Sequence, residues 1–104
     1  MIDVSILYPN EADCSFDFDY YITHHMPMIQ QKMGGACSHF TIEKGLQGPT
    51  PGSRPTYIAM GHLFFESLES FVDAFVPHAK AIAADIDNYT NVKPVVQISE
   101  ILIA

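Results

Sequence analysis

Residues 56–65 constrain the fold more than any other segment, because they predict a β-strand with two largely apolar faces. Alternate positions place Tyr57, Ala59, Gly61, Leu63 and Phe65 on one face, and Ile58, Met60, His62 and Phe64 on the other. Water is expected to reach neither face. The segment therefore predicts a strand inside a sheet that is covered on both sides.

Three other segments also predict strands. Residues 2–8 alternate around Ile2, Val4 and Ile6 and stop at a Pro-Asn turn. Residues 39–44 alternate in the same way, and residues 92–103 are rich in β-branched side chains. A Gly- and Pro-rich loop, residues 47–55, separates the second and third strands.

Two helices are predicted between these strands, and each is interrupted by a proline. Asp17 is the expected N-cap of the first and Ser67 of the second. The first helix should turn inward the stripe Phe18, Tyr21, Ile22, His25, Met28 and Ile29, and the second the stripe Leu68, Phe71, Val72 and Phe75. Pro27 and Pro77 predict a kink or a restart of the helix.

The order βαββαβ predicts a single α+β domain over residues 1–104 with a ferredoxin-like fold. Such a domain has a four-stranded antiparallel sheet with both helices on one face. Leaving the other face wet would forgo on the order of 10 kcal/mol, as an upper bound from about 400 Å² of apolar surface. We therefore expect a homodimer, in which two sheets pack face to face as a dimeric α/β barrel.

Charge and composition exclude several classes of function. The chain has 5 Lys+Arg against 12 Asp+Glu, a net charge of −7, and Arg54 is its single arginine, so a nucleic-acid partner is not expected. No basic leader or membrane-length apolar run is present, which predicts a cytoplasmic protein without a membrane partner. Cys14 and Cys37 match no metal-binding spacing and are expected to be reduced thiols.

Two adjacent histidines on the first helix are the main candidates for chemistry. Neighbouring helical positions diverge by about 100°, so His24 and His25 cannot both point inward. His25 falls on the apolar stripe one turn after Tyr21, where burial would keep its imidazole neutral and able to accept a proton. A structural histidine bonded to backbone carbonyls explains the position equally well.

Other polar side chains are weaker candidates for the same cavity between sheet and helices. His62 and His78 are catalytic or binding candidates, with a packed or dimer-facing position as the alternative for His62 and an exposed helix position for His78. Tyr57 and Tyr89 are candidate phenol donors to a substrate, although buried tyrosines usually pack. Asp85 would either orient a histidine or face water.

The motifs of nucleotide, serine-hydrolase and zinc-protease sites are missing from the sequence, so no cofactor is expected. The spacing of the five histidines is not diagnostic of iron or haem, and a metal stays a minor alternative.

Several segments together resemble the EthD family, named for ethyl tert-butyl ether degradation. They are Leu7-Tyr8-Pro9, Phe18-Asp19-Tyr20-Tyr21, His25-Met26-Pro27-Met28, Glu43-Lys44-Gly45-Leu46, Tyr57-Ile58-Ala59-Met60-Gly61-His62-Leu63, Pro77-His78-Ala79 and Asp85-Ile86-Asp87-Asn88-Tyr89-Thr90. The resemblance implies the dimeric α/β-barrel fold and a role as accessory to a cytochrome P450 system that degrades ethers. It identifies His25 as the signature histidine, and a looser likeness to plant polyketide cyclases points to His78.

Two hypotheses of function follow. In the first, the protein is an enzyme or accessory catalyst of ether or aromatic catabolism, with His25 as general acid or base and Tyr21, Tyr57 or His78 steadying a developing oxyanion. Cofactor-free monooxygenases and polyketide cyclases of the same superfamily are the models for such chemistry, with Tyr57, His62 and Tyr89 near the substrate. In the second, the protein is a non-catalytic carrier of a hydrophobic metabolite.

Overall fold

The computed structural model describes all residues, 1–104, and has the predicted ferredoxin-like α+β fold. Four strands form one sheet: β1 (Ile2–Pro9), β2 (Cys37–Lys44), β3 (Tyr57–Phe65) and β4 (Val95–Glu100). Their order is β2-β3-β1-β4, and every neighbouring pair is antiparallel. A first helical segment covers residues 18–33 and a second covers residues 68–88.

The fourth strand is shorter than predicted. β4 pairs only with β1, from Ile2 opposite Glu100 to Leu7 opposite Val95. Pro94 directly precedes this ladder and has no amide to donate to it. Residues 92–94 and 101–103, which were predicted to belong to the strand, lie outside it, although Val92 is buried in the core.

The first helical segment contains a π-helical turn that the sequence pattern does not predict. It begins at Phe18 with Asp17 as its N-cap, widens to a π-helix over Tyr21–His25, and continues as an α-helix over Met26–Met33, with Pro27 in the first turn. Since the Met26 amide bonds the Tyr21 carbonyl, five residues back, both side chains face the core. Ile22, predicted to point inward, is instead 49% exposed.

The second helical segment also restarts at its proline. An α-helix over Leu68–Phe75, capped by Ser67, passes through a 3₁₀ turn at Val76–His78 into a second α-helix, Ala79–Asp85. Only part of the predicted stripe turns inward: Phe71 is buried, whereas Leu68 and Val72 are exposed on either side of the buried surface of the helix. The predicted apolar stripe is therefore wider than the surface of this helix that packs on the sheet.

The two faces of the sheet differ. The face under the helices carries the core, including Val4, Ala59, Leu63 and Phe65. The opposite face is uncovered in a single chain, with the apolar even-numbered residues of β3 only half-buried. β1 and β2 add Asp3, Ser5, Thr41 and Glu43 to that face, so it is more polar than β3 alone predicts. No helix has both the length and the apolar character needed to cross a bilayer.

Candidate acid–base site beside an apolar cavity

A cavity of about 400 Å³ lies between the sheet and the second helical segment. Hydrophobic residues make up 13 of the 15 that line it, and His25 is the one titratable nitrogen group among them. Tyr8 brings a hydroxyl-bearing side chain to the same wall. Val96 and Ile98 of β4, which are 56% and 41% exposed, also line it. The cavity is therefore suited to an apolar small molecule with few polar groups.

The π-helical turn carries His25 to this cavity. The turn buries Tyr21 and His25 together, with their rings stacked at a centroid distance of 5.6 Å. His25 is only 2% exposed, so the predicted inward position is observed, whereas His24 is exposed and stacks on Tyr20. π-Helical turns are frequent at functional sites, because they displace side chains from the regular helical stripe.

Asp85 holds one side of the His25 ring. The distance from His25 Nδ1 to Asp85 Oδ2 is 2.8 Å. The other carboxylate oxygen, Oδ1, accepts hydrogen bonds from the Tyr20 hydroxyl at 2.7 Å and from Asn88 Nδ2 at 2.9 Å. Burial raises the pKa of the Asp85 carboxyl, but the hydrogen bonds from Tyr20, Asn88 and His25 outweigh burial and hold that pKa below its usual value. Asp85 is thus an ionised, acceptor-only partner for His25.

Two tyrosines occupy the other side of the ring. The Tyr89 hydroxyl lies 3.2 Å from His25 Nε2, and the Tyr8 hydroxyl lies 2.7 Å from that of Tyr89. Burial raises the pKa of both phenols. Both therefore carry their protons at neutral pH. Asp85, His25, Tyr89 and Tyr8 form one continuous chain of hydrogen bonds.

The carboxylate fixes the tautomer of His25. An ionised carboxylate only accepts hydrogen bonds, so Nδ1 carries the hydrogen that faces Asp85. Burial lowers the pKa of the His25 imidazole, and the charge of Asp85 does not fully offset this effect. The ring is therefore neutral near pH 7, with a lone pair on Nε2 that accepts the Tyr89 hydrogen.

Tyr21 lies beside this chain and not at the cavity. Its hydroxyl is buried and makes no well-formed hydrogen bond, although the Tyr8 hydroxyl is near enough to raise its pKa. It packs so closely on Gly61 that a Cβ at position 61 would collide with the hydroxyl oxygen. Burial raises the pKa of this phenol well above its usual value. The orphaned hydroxyl is a departure from ordinary polar pairing that only a glycine at position 61 accommodates.

The other predicted site residues do not line the cavity. His62 lies on the far face of the sheet, because it follows Gly61 in β3 and successive side chains alternate. Its ring is flanked there by Asp3, 3.0 Å from Nδ1, and Glu43, 3.1 Å from Nε2. Tyr57 lies at the end of β3 beside the loop before it. His78 is half-buried in the 3₁₀ turn, next to the cavity residue Ala79.

Tyr8 is the cavity residue that sequence reasoning missed. It stands on the inner side of β1, two and four positions after Ile6 and Val4, which also line the cavity. That alternation was the available signal. The structure also decides between the two interpretations of Asp85, which binds His25 and does not simply face water. No three His, Cys, Asp or Glu side chains converge on a point that a metal ion could occupy.

The fold and the site define a ferredoxin-like α+β domain with a buried histidine–carboxylate pair beside an apolar cavity. The family model of the EthD domain matches residues 11–93. The chain therefore belongs to the EthD family.

Three relatives illustrate the relationship. An EthD-like protein from Ralstonia eutropha JMP134 is 41% identical, with a TM-score of 0.93 over 98% of this chain and 92% of its own. An ethyl tert-butyl ether degradation family protein from Bacillus halodurans C-125 shares the fold at 20% identity, with a TM-score of 0.73 over 98% of this chain and 99% of its own. An uncharacterized 11.0 kDa protein from the thcB-thcC intergenic region of Rhodococcus erythropolis is 29% identical over 88% of this chain and 85% of its own.

Proposed function

We propose that this EthD-family protein acts in the oxidative catabolism of apolar ethers or aromatic compounds, with His25 as a general acid or base. One observation carries the proposal: a neutral, carboxylate-backed histidine borders an otherwise apolar cavity of about 400 Å³. A cavity of this size falls in the range of small-molecule binding sites. The family name on two of its structural relatives supports the link to ether degradation.

The surroundings of His25 suit proton transfer. A neutral imidazole accepts a proton, and the Asp85 carboxylate at 2.8 Å stabilises the imidazolium that results. General acid–base catalysis by one positioned side chain typically contributes about 10²- to 10⁴-fold in rate. In this proposal Tyr8 and Tyr89 take the phenol role that the sequence assigned to Tyr21 and Tyr57, because their hydroxyls connect to His25.

A second candidate function is a carrier that delivers a hydrophobic metabolite to an oxidase. The nearly continuous apolar wall favours it, because burial of apolar surface alone holds a ligand without any chemistry. Under either function, a cytochrome P450 system is the proposed partner that the family resemblance implies.

Proton exchange on a carbon acid separates the two functions. 2-Tetralone, an apolar bicyclic ketone with acidic C–H groups, is incubated with the protein in D₂O and its α-protons are followed by NMR. A catalyst accelerates the exchange, and His25→Ala removes the acceleration while His24→Ala, an exposed neighbour, retains it. Saturable binding of the ketone without faster exchange would support the carrier and refute the catalytic role.

We also propose that a second copy of the chain covers the open face of the sheet. The half-buried residues Ile58, Met60 and Phe64 offer apolar surface there, and no other part of the chain covers it. Sedimentation equilibrium is expected to give a dimer at micromolar concentration. A stable monomer at that concentration would refute the proposal.

A further inference from the structure

We infer that the cavity takes a neutral, largely apolar molecule bearing an acidic hydroxyl, a phenol or an enol, and that its proton passes through Tyr8 and Tyr89 to His25. The inference rests on the proposed function and deepens it by naming the class of substrate, which is a hydroxyl-bearing compound of that catabolism and not the ether itself. The observation behind it is the direction of the hydrogen bonds in the chain that joins Asp85 to the cavity wall.

The direction is set from the carboxylate end. Asp85 only accepts, so His25 donates from Nδ1, 2.8 Å away, and keeps a lone pair on Nε2. That lone pair needs a donor, and the Tyr89 hydroxyl, at 3.2 Å, is the group in reach. Tyr89 has then used its single hydrogen, so its oxygen accepts from the Tyr8 hydroxyl at 2.7 Å.

The last group of the chain can therefore offer a ligand only an acceptor. The Tyr8 hydroxyl donates its hydrogen to Tyr89, and its oxygen keeps a lone pair that can accept a hydrogen bond. The Tyr8 side chain lines the cavity. Both ring nitrogens of His25 are already bonded within the protein, which leaves neither of them free. A hydroxyl, including that of the enol form of a ketone, can donate to Tyr8, whereas an ether cannot.

The same chain can move the proton of that hydroxyl. The O–H bond of the ligand breaks as Tyr8 takes the proton, Tyr8 passes its own proton to Tyr89, and Tyr89 passes its proton to Nε2 of His25, where an N–H bond forms. Each hydroxyl then donates toward the ligand, which is left as a phenolate or enolate. Net charge is unchanged, because the proton lost by the ligand stays in the complex on His25, and no electrons leave or enter. The Asp85 carboxylate stabilises the imidazolium that forms.

Two probes that differ by one methyl group test recognition of the hydroxyl. 4-Nitrophenol has the donor, and 4-nitroanisole, its methyl ether, does not. At a pH below the pKa of the free phenol, the wild-type protein is expected to bind nitrophenol about tenfold more tightly than nitroanisole. Tyr8→Phe keeps the ring that lines the cavity but removes the acceptor, and should bind the two probes equally.

The absorbance of nitrophenolate tests the proton transfer. About one pH unit below the pKa of the free phenol, binding to the wild-type protein is expected to increase the nitrophenolate band, because the phenolate that forms adds a second negative charge near His25 and so favours the imidazolium. His25→Gln should bind nitrophenol without this increase, and the exposed control His24→Gln should keep it. Tyr89→Phe interrupts the chain between Tyr8 and His25, so the band should be lost. It also frees the Tyr8 hydrogen to donate to the ether, so the preference for the phenol should shrink.

The outcomes separate this inference from the function on which it rests. Equal binding of the two probes by the wild-type protein, or binding without a phenolate band, overturns the inference and leaves an apolar binding cavity in place. Failure of both probes to bind overturns the cavity as a binding site as well. If Tyr8→Phe does not fold, the preference of the wild-type protein and the band in Tyr89→Phe still decide the result.

Discussion

Two histidines stand on opposite faces of one sheet, and each is bonded to carboxylates. On the helix-covered face, His25 is buried between Asp85 and Tyr89, with the apolar cavity beside it. On the open face, His62 lies between Asp3 and Glu43 and is only half-buried. Similar side chains thus form a desolvated pair on one face and a solvated cluster on the other.

The difference teaches that burial of the sheet face, and not the choice of residues, determines the proton affinity and the hydrogen bonding of a histidine–carboxylate pair. Burial makes the protonation of His25 costly and therefore responsive to its partners, and it leaves the polar groups of that face without water as a substitute. Water competes for every hydrogen bond around His62 and screens its charges. Substitutions on the two faces should consequently differ in size.

The largest expected effect lies on the covered face at Gly61. Its added Cβ in Gly61→Ala would collide with the buried Tyr21 hydroxyl, so we expect the free energy of unfolding to fall by about 3 kcal/mol. Urea unfolding measures the change. Tyr21→Phe removes the hydroxyl and should restore most of the loss in the double variant, because it also removes an orphaned polar group.

Gly35→Ala is the matched control for that substitution. Nothing lies within 4 Å of the Cβ that it would add, so the free energy of unfolding should change by less than about 0.5 kcal/mol. Equal losses in Gly61→Ala and Gly35→Ala would show that backbone effects and not the collision with Tyr21 are being measured.

The next effect compares the carboxylates of the two faces. Asp85→Ala leaves the buried His25 Nδ1–H and the Tyr20 hydroxyl without their acceptor, so we expect a loss of about 2 kcal/mol in unfolding free energy at pH 7. Asp3→Ala leaves His62 with Glu43 and water, and should lose less than about 1 kcal/mol. Urea unfolding in protein dilute enough to dissociate the proposed dimer measures both, with the exposed Asp87→Ala as control. Equal losses would mean that the two faces are equally dry.

The sequence predicts the fold well, because side-chain alternation is a local property. Val4 and Leu63 alternate with their neighbours as strands require, and the caps Asp17 and Ser67 bond the amides expected of them. The exposed Ile22 shows where a helical pattern in the sequence stops predicting burial. A regular period of 3.6 residues cannot anticipate a π-helical turn, which depends on how the whole helix settles on the sheet.

The candidate site is only half predictable for a related reason. Burial of His25 follows from its own helix, but its partners lie 60 and 64 residues further along the chain. Contacts at that separation depend on the placement of the second helical segment, which no local pattern specifies. His62 shows the opposite error, because its apolar neighbours in the sequence suggest a cavity that lies on the other face.

A smaller effect should appear in the pH dependence of stability. Burial lowers the pKa of His25 in the folded protein, so the unfolded chain binds one more proton between that pKa and about 6.5. Its contribution to stability is fully present above about pH 6.5 and is lost as the pH falls through the folded pKa, with a slope of at most about 1.4 kcal/mol per pH unit.

Urea unfolding between pH 5 and 7.5 measures this slope. His25→Gln should remove it, and the exposed control His24→Gln should keep it. A His25→Gln profile parallel to that of the wild type would mean that the covered face does not desolvate this histidine, and the contrast between the two faces would fail.

The smallest expected effect is on the open face, and it tests what covers that face. Glu43→Gln removes one charge beside His62, but the Glu43 side chain is 48% exposed. In protein dilute enough to dissociate the proposed dimer, the free energy of unfolding should therefore change by less than about 0.5 kcal/mol. At concentrations that populate the dimer the loss should grow, because a second copy would exclude the water that replaces the lost contact. Glu11→Gln, in an exposed loop, should show no such dependence on concentration. A loss for Glu43→Gln that is small and equal at all concentrations would indicate that the open face stays wet.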